Sequence, residues 1–350
     1  MLSLREALRK LDLPENFSLR THLRSWPPSL AELIRIMNLP PPDLRELHWR
    51  KILGYTADDA QGVVHGGGST WFMSSKSEIR RFEIPGTDPA HPEAIAEMRR
   101  IQLQELIAQT DLTGADLVVD HIGDLAFGHG LLFIPVQQVD HDSSAPHFVL
   151  VTDENFNMVG YNRLSAETRP AWCAFNVWNG LLYMSHNEDH SRWLAFDVSG
   201  FVERVGDRAA WGSAVTMNLR SERDFHLLRS DGGTASLKST QGIAFSSTGT
   251  VYATRYVGSQ PWDNFVEVFS SLTGRRFSDA VTPVRSVNPP VVSPVYAGIR
   301  YINFDGWRDE IEGVGFHPSG VMYLTVADHD LFDGDDYHLY AFSSEGDRPL

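Results

Sequence analysis

Glu312 is the residue on which chemistry is easiest to place, and it opens the phrase Glu312-Gly313-Val314-Gly315-Phe316. Similar phrases run Gln61-Gly62-Val63-Val64-His65 and Gln241-Gly242-Ile243-Ala244-Phe245; looser copies are Ile122-Gly123-Asp124-Leu125-Ala126-Phe127 and Trp172-Cys173-Ala174-Phe175. Aligning them brings Gln61, His121, Trp172, Gln241 and Glu312 toward one ring, with Asp124 and Cys173 beside it. An ionised carboxylate in so confined a place is costly without a compensating charge. Glu312 and Asp124 are therefore the candidate metal ligands or acid/base groups. His121 is a candidate proton carrier with a pKa suited to neutral pH. Gln61, Gln241, Trp172 and Arg255 are candidates for holding a substrate, Arg255 also as a cationic partner for Glu312. Amide oxygens, carboxylates and an imidazole suit a divalent metal such as calcium, or a polyhydroxylated ligand. The bland alternative is that these groups satisfy one another and channel water.

Further chemistry-bearing clusters fall in turns. Asp328-His329-Asp330-Leu331-Phe332-Asp333-Gly334-Asp335-Asp336 is rich in oxygen ligands, but its spacing is not that of an EF-hand, and a solvated acidic loop explains it more simply. His186-Asn187-Glu188-Asp189-His190 and Asp140-His141-Asp142 occupy corresponding turns; the spacing of His186 and His190 suits a metal on a helix, whereas their context is strand and loop. His65-Gly66-Gly67-Gly68 matches the oxyanion loop of lipases, yet no Gly-x-Ser-x-Gly elbow accompanies it and the glycines fall at a hairpin turn. A lone cysteine such as Cys173 is more often a small buried apolar residue than a nucleophile.

The elements that must position these residues are short strands. From Tyr55 onward the chain consists of runs of four to seven residues rich in Val, Ile, Phe, Tyr and Trp, punctuated by Gly, Asn, Asp and Ser. The five phrases begin roughly 50 to 70 residues apart, each heading about four strands, which is the make-up of a propeller blade with decorated loops. The fold class expected is all-β, a β-propeller of five blades over 51–350; a sixth blade would have to lie within 208–238 or near 291–305. Residues 1–50 read as a helical N-terminal arm or cap. Ser3 and Glu6, then Ser29 and Glu32, make possible capping boxes, and Pro40-Pro41-Pro42 is a stop. A helical insertion is expected near 92–109, burying Ile95, Met98, Leu103, Leu106 and Ile107.

The composition narrows the partners. Thirty Lys and Arg against 45 Asp and Glu give a formal charge of −15, which argues against nucleic acid and against an anionic membrane surface. One cysteine among 350 residues permits neither an intrachain disulfide nor a cysteine zinc module. Charges at Arg5 and Glu6 stand where a signal peptide needs its apolar run, so the expected location is cytoplasmic.

The Gln61-Gly62, Gln241-Gly242 and Glu312-Gly313 pairs, each heading a strand followed by a turn and an aromatic-containing strand, resemble β-propellers of the SMP-30 gluconolactonase, strictosidine synthase-like and NHL-like kind. The resemblance implies the architecture, with a small-molecule active site at one mouth of the channel. In gluconolactonase-like propellers a carboxylate of an early Glu-Gly phrase helps bind a divalent metal; here the matching carboxylate, Glu312, lies in the last unit. The leading expectation is a small-molecule enzyme performing metal-assisted hydrolysis of a lactone, ester or similar substrate. The alternative is a noncatalytic carbohydrate- or protein-binding propeller, using Trp172, Trp178, Trp262 and Trp307 as stacking surfaces or the N-terminal helices as a docking arm.

Overall fold

The computed structural model describes residues 48–85, 92, 94–112, 119–137, 147–177, 179–229, 231–246, 250–256, 264–270, 282–283, 310–317, 320–330 and 334–343. They form a five-bladed β-propeller. Blade 1 is Ala60–Gly67, Thr70–Ser75, Glu78–Glu83 and Ala96–Gln102, from the axis outward. In blade 2 the inner strand is broken into His121–Ile122 and Ala126–Gly128, both paired with Leu131–Gln137; Phe148–Asp153 and Met158–Arg163 follow. Blade 3 is Thr168–Asn176, Leu181–His186 and Arg192–Asp197, completed by two short strands, Asn218–Leu219 and Phe225–His226. Blade 4 is Thr240–Phe245, Thr250–Tyr256, Asn264–Ser270 and Thr282–Pro283. Blade 5 is Glu310–Phe316, Met322–Asp330 and Gly334–Ser343, and its outer strand is His48–Thr56 from the other end of the described chain.

The core consists of wedges between neighbouring blades rather than one central mass. Phe72 and Ile79 of blade 1 meet Leu132 and Ile134 of blade 2, and comparable clusters fill the four other clefts. A strand covered on both faces has no polar face to show. Leu131–Gln137 is accordingly buried at every position but its last and reads as an unbroken apolar run.

His48–Thr56 runs antiparallel to Gly334–Ser343 and closes the ring. Tyr55 stacks on Tyr337 with centroids 4.7 Å apart, Arg80 lies over the Tyr55 ring at 4.0 Å, and Lys51 Nζ lies 2.7 Å from His338 Nε2. Burial, with Lys51 beside it, lowers the His338 pKa to about 4, against a smaller pull from Asp336. Burial, then Lys76, lowers that of His121 to about 4 as well. Both are neutral in the folded protein, whereas unfolded histidines ionise near 6.5. Their contribution to stability is therefore complete above about pH 6.5 and is lost as pH falls toward about 4. Urea midpoints measured across that window should drop, and His338→Gln should flatten the drop.

Two sequence expectations change here. Ala96–Gln102 is the outer strand of blade 1, and among the described residues of the expected 92–109 insertion only Leu103–Ile107 is α-helical. Glu97, Met98, Arg99 and Arg100 have helix-favouring side chains. Cross-strand pairing of Arg80 with Glu97 and of Arg100 with Glu78 holds them extended, and Met98 is exposed rather than buried. The closing strand begins at His48, inside the stretch read as a helical arm; residues 1–47 lie outside the described residues. The region 208–238 is an excursion that completes blade 3 and feeds Phe225, Leu227, Ala235 and Leu237 into the cleft beside blade 4. The stretch 291–305 lies outside the described residues. No described helix is long and apolar enough to cross a membrane.

Candidate functional site

The inner strands approach so closely at the axis that a side chain is excluded at several equivalent positions. A Cβ on Gly62 would stand 2.4 Å from Asp124 Oδ1; one on Gly242 would meet Glu312 O at 2.6 Å, and one on Gly313 would meet the Gly62 Cα at 2.6 Å. The glycine of the repeated phrase is thus a close-approach requirement. Gly242→Ala should cost about 1–3 kcal/mol, because it meets the Asp124 carboxylate, held by its amide donors, and the backbone of Glu312 and Gly313, none of which can readily move aside. A denaturant melt checks this.

In blade 2 Asp124 takes the glycine position, and its carboxylate fills the space the missing side chains leave. Oδ1 accepts from Val63 N at 3.2 Å and Leu125 N at 3.0 Å, and Oδ2 accepts from Ile243 N at 3.2 Å. Val314 N is the fourth donor. These four N–H groups occupy the same place in the phrases of blades 1, 2, 4 and 5. Their counterpart in blade 3, Cys173 N, donates to the Asp124 carbonyl at 3.1 Å, while Asp124 N donates to Ala171 O. One residue therefore ties all five blades. Burial pushes the Asp124 pKa up, and the four N–H donors oppose it by favouring the anion. A carboxylate has about four lone-pair sites, and here all are occupied.

Hydroxyls repeat the tying farther out. Ser74 Oγ donates to Gly123 O, Thr254 Oγ1 to Glu312 O, and Thr325 Oγ1 to Gln61 O, each reaching the next blade's inner strand.

On one side of this plug lies a polar mouth. Glu312 is 4% exposed and accepts from Gln241 Nε2 at 3.2 Å through Oε1. Its pKa is pushed well up by burial, then by the charges of Asp59 and Glu310, with a side-chain hydrogen bond to Glu310 acting the same way and Lys76 opposing. Lys76 Nζ pairs with Asp59 Oδ2 at 2.5 Å. Asp59 holds a φ of +97°, a conformation that L side chains rarely adopt, and such strain concentrates at functional sites. His121 Nε2 lies 2.8 Å from Gln61 Oε1. The mouth thus gathers Glu312, Gln241, Gln61 and His121 as the sequence implied, with His121 neutral instead of ionising near pH 7.

Other candidates are placed elsewhere. Trp172 is fully buried and packs edge-on against Trp193 at 5.1 Å, so its ring is not presented to a ligand. Arg255 pairs with Glu267 and donates to Lys238 O, and is spent within blade 4 rather than facing Glu312. Cys173 is buried, donating to Phe133 O, with its thiol pKa pushed up by burial and then by Asp124. His186 Nδ1 accepts from the Glu188 and Asp189 amides, which makes it a turn cap. Gly67 and Gly68 have φ of +96° and +58°, the turn of the blade 1 hairpin. Asp140-His141-Asp142 and Leu331–Asp333 lie outside the described residues.

The expected ligands Glu312 and Asp124 do not form a metal site among the described residues. Among the described residues no group of three or more His, Cys, Asp or Glu side chains is arranged to hold a metal ion, and Asp124 has no lone pair to offer. Sequence reasoning missed Glu310, Asp59 and Lys76. The signal was nonetheless there for Glu310: it and Glu312 are two apart on one strand, and residues two apart share a strand face; Asp59 immediately precedes the inner strand of blade 1.

No protein-family model and no curated protein matches the chain. Among solved structures it is similar to the tail fiber of Staphylococcus aureus phage P68, at 12% identity and a TM-score of 0.47 over 87% of this chain and 54% of that one. It is similar to a GH43_1 enzyme from Xanthomonas citri at 11% identity and 0.46, over 88% and 92%. A xylan beta-1,4-xylosidase from Bacillus halodurans C-125 gives 11% and 0.46, over 81% and 52%. At such scores these likenesses carry no argument about activity.

Proposed function

We propose that the polar mouth is the active site of a hydrolase for a small oxygenated substrate, an ester or lactone, with Glu310 and Glu312 as its acid–base pair. The observation that carries this reading is the hydrogen-bonded pair itself: a buried carboxyl with its pKa pushed up, joined to a second carboxyl nearer the solvent. Two carboxyls so close share one proton, which leaves one as an acid and the other as a base.

In this scheme Glu310 takes a proton from a water whose oxygen adds to the substrate carbonyl carbon. Glu312 gives its proton to the leaving oxygen as the C–O bond breaks. The products are a carboxylic acid and an alcohol, joined in one chain for a lactone. The pair still holds one proton, which returns from Glu310 to Glu312. Lys76, tied to Asp59, supplies positive charge where the carbonyl oxygen becomes negative. Gln241 holds Glu312 in place, and Gln61 is held by His121.

The likeness of the Gln-Gly and Glu-Gly phrases to gluconolactonase-like propellers is in keeping with a lactone, although the glycines answer axial packing and leave Glu312 to carry the chemistry. The test is turnover of a panel of γ- and δ-lactones and aryl esters, followed by pH-stat. The pH profile should be bell-shaped, its acid limb set by protonation of the base and its alkaline limb by loss of the Glu312 proton. Because the Glu312 pKa is raised, the alkaline limb should lie above the usual Glu value of about 4.3. No turnover across the panel, or a rate unaffected by Glu312→Gln, would overturn the reading.

A further inference from the structure

The opposite side of the axial plug is a half-open cavity of about 210 Å³ to which every blade contributes. Its walls are the last residues of the five phrases: His65, Phe127, Phe175, Phe245 and Phe316, with His317 beside them. The preceding position is Val64, Ala126, Ala174, Ala244 or Gly315, small in four blades of the five, which is what opens the space.

The ring is held rigidly. Phe127 packs on Phe72 at 5.6 Å, Phe175 on Phe133 at 6.2 Å, Phe245 on Tyr183 at 5.4 Å and Phe316 on Tyr252 at 4.6 Å, each supporting ring coming from the preceding blade. All four phenylalanines are nevertheless only partly buried, and Val177 at the rim is 45% exposed. The cavity is concave, mostly apolar and carries a few polar groups, which is the form small-molecule sites take.

The lining selects its ligand. It has no hydroxyl, carboxyl or amide side chain, so a sugar would lose the partners of most of its hydroxyls. A dry cavity of about 150 Å³ takes one benzene, so the space here fits a single ring with a small substituent. The polar lining side chains are the two imidazoles, with centroids 5.3 Å apart. His65 Nε2 lies 3.0 Å from Gly68 O, which fixes the proton on Nε2 and leaves Nδ1 as an acceptor. Burial lowers the pKa of both, and His65 lowers that of His317 further, so both are neutral at pH 7 and offer no charge to an anion.

We propose that this cavity is a second ligand site, distinct from the polar mouth, that takes a single-ring phenol, its ring against the phenylalanines and its hydroxyl donated to His65. The site does not depend on Glu310 or Glu312.

Calorimetric titration of the full chain with phenol, toluene and benzoate tests it. Phenol should saturate one site and bind more tightly than toluene or benzoate. Ala244→Phe, which fills the cavity, should abolish phenol binding with the thermal melt retained. His65→Leu should reduce phenol to the affinity of toluene, a loss of up to roughly tenfold for one hydrogen bond, and serves also if Ala244→Phe does not fold. Glu312→Gln should leave phenol affinity unchanged. The proposal is overturned if phenol shows no saturable binding, if benzoate binds as tightly as phenol, if His65→Leu leaves phenol's advantage over toluene intact, or if Glu312→Gln weakens phenol.

Discussion

Replacing Glu312 by Gln should reduce hydrolysis by about 10²–10⁴-fold, the usual contribution of a positioned general acid or base, while the protein becomes more stable at neutral and alkaline pH. The two effects have one cause. Glu312 is buried, with Asp59 and Glu310 adding negative charge nearby, and its pKa is raised in the folded state. An acid with a raised folded pKa contributes stability below its unfolded pKa of about 4.3 and loses it as pH rises through the folded value. Glutamine keeps the shape, and its Oε1 can still accept from Gln241, but it has no proton to give and no charge to bury. A side chain there for structure alone would lose stability on this exchange. Melting curves beside lactone turnover at several pH values separate the cases.

Asp124 should behave in the opposite way. Asp124→Ala removes the acceptors of four buried N–H groups, and an orphaned buried donor costs about 1–3 kcal/mol. The summed loss is comparable with the whole stability of an ordinary domain. Asp124→Asn is the more informative change, since its shape is retained and only its hydrogen-bonding sense differs. The amide oxygen can serve one pair of donors, but its NH₂ must face the other pair, so a loss of about 2–4 kcal/mol is expected. Hydrogen exchange should then speed up at Val63, Leu125, Ile243 and Val314 together, because these amides from four blades share one acceptor. Exchange confined to blade 2 would contradict the hub.

The fold was largely legible because its repeat is physical. An apolar run ending in an aromatic ring recurs in all five phrases, and a glycine where inner strands meet recurs in three of them, with a packing reason for each in the structure. The strand at Ala96–Gln102 was not legible, since its local propensity is helical and only charge pairing with Glu78 and Arg80 reveals its true state. The ring closure could not be read either, because the partner of His48–Thr56 lies at the far end of the sequence.

At the site, Glu312 and Gln241 stood out by alignment and do meet. Asp124 stood out for the same reason, yet its environment is four amides rather than a mouth. Nothing in its own neighbourhood of sequence announces that, because the donors lie in four different blades. Trp172 is nominated by the same alignment, Arg255 by its charge at the end of a strand. Which way each would face depends on Trp193 and Glu267, residues that become neighbours only after folding.

The most direct test of the account is a carbon-detected NMR titration of the glutamate carboxyls, compared between the wild-type chain and Glu312→Gln. The account predicts one carboxyl that ionises well above the ordinary glutamate range and disappears in the variant, together with a changed titration of Glu310 once its proton-sharing partner is gone. Ordinary titration of every glutamate in the wild type, or a high-pKa carboxyl that survives Glu312→Gln, would contradict the acid–base pair.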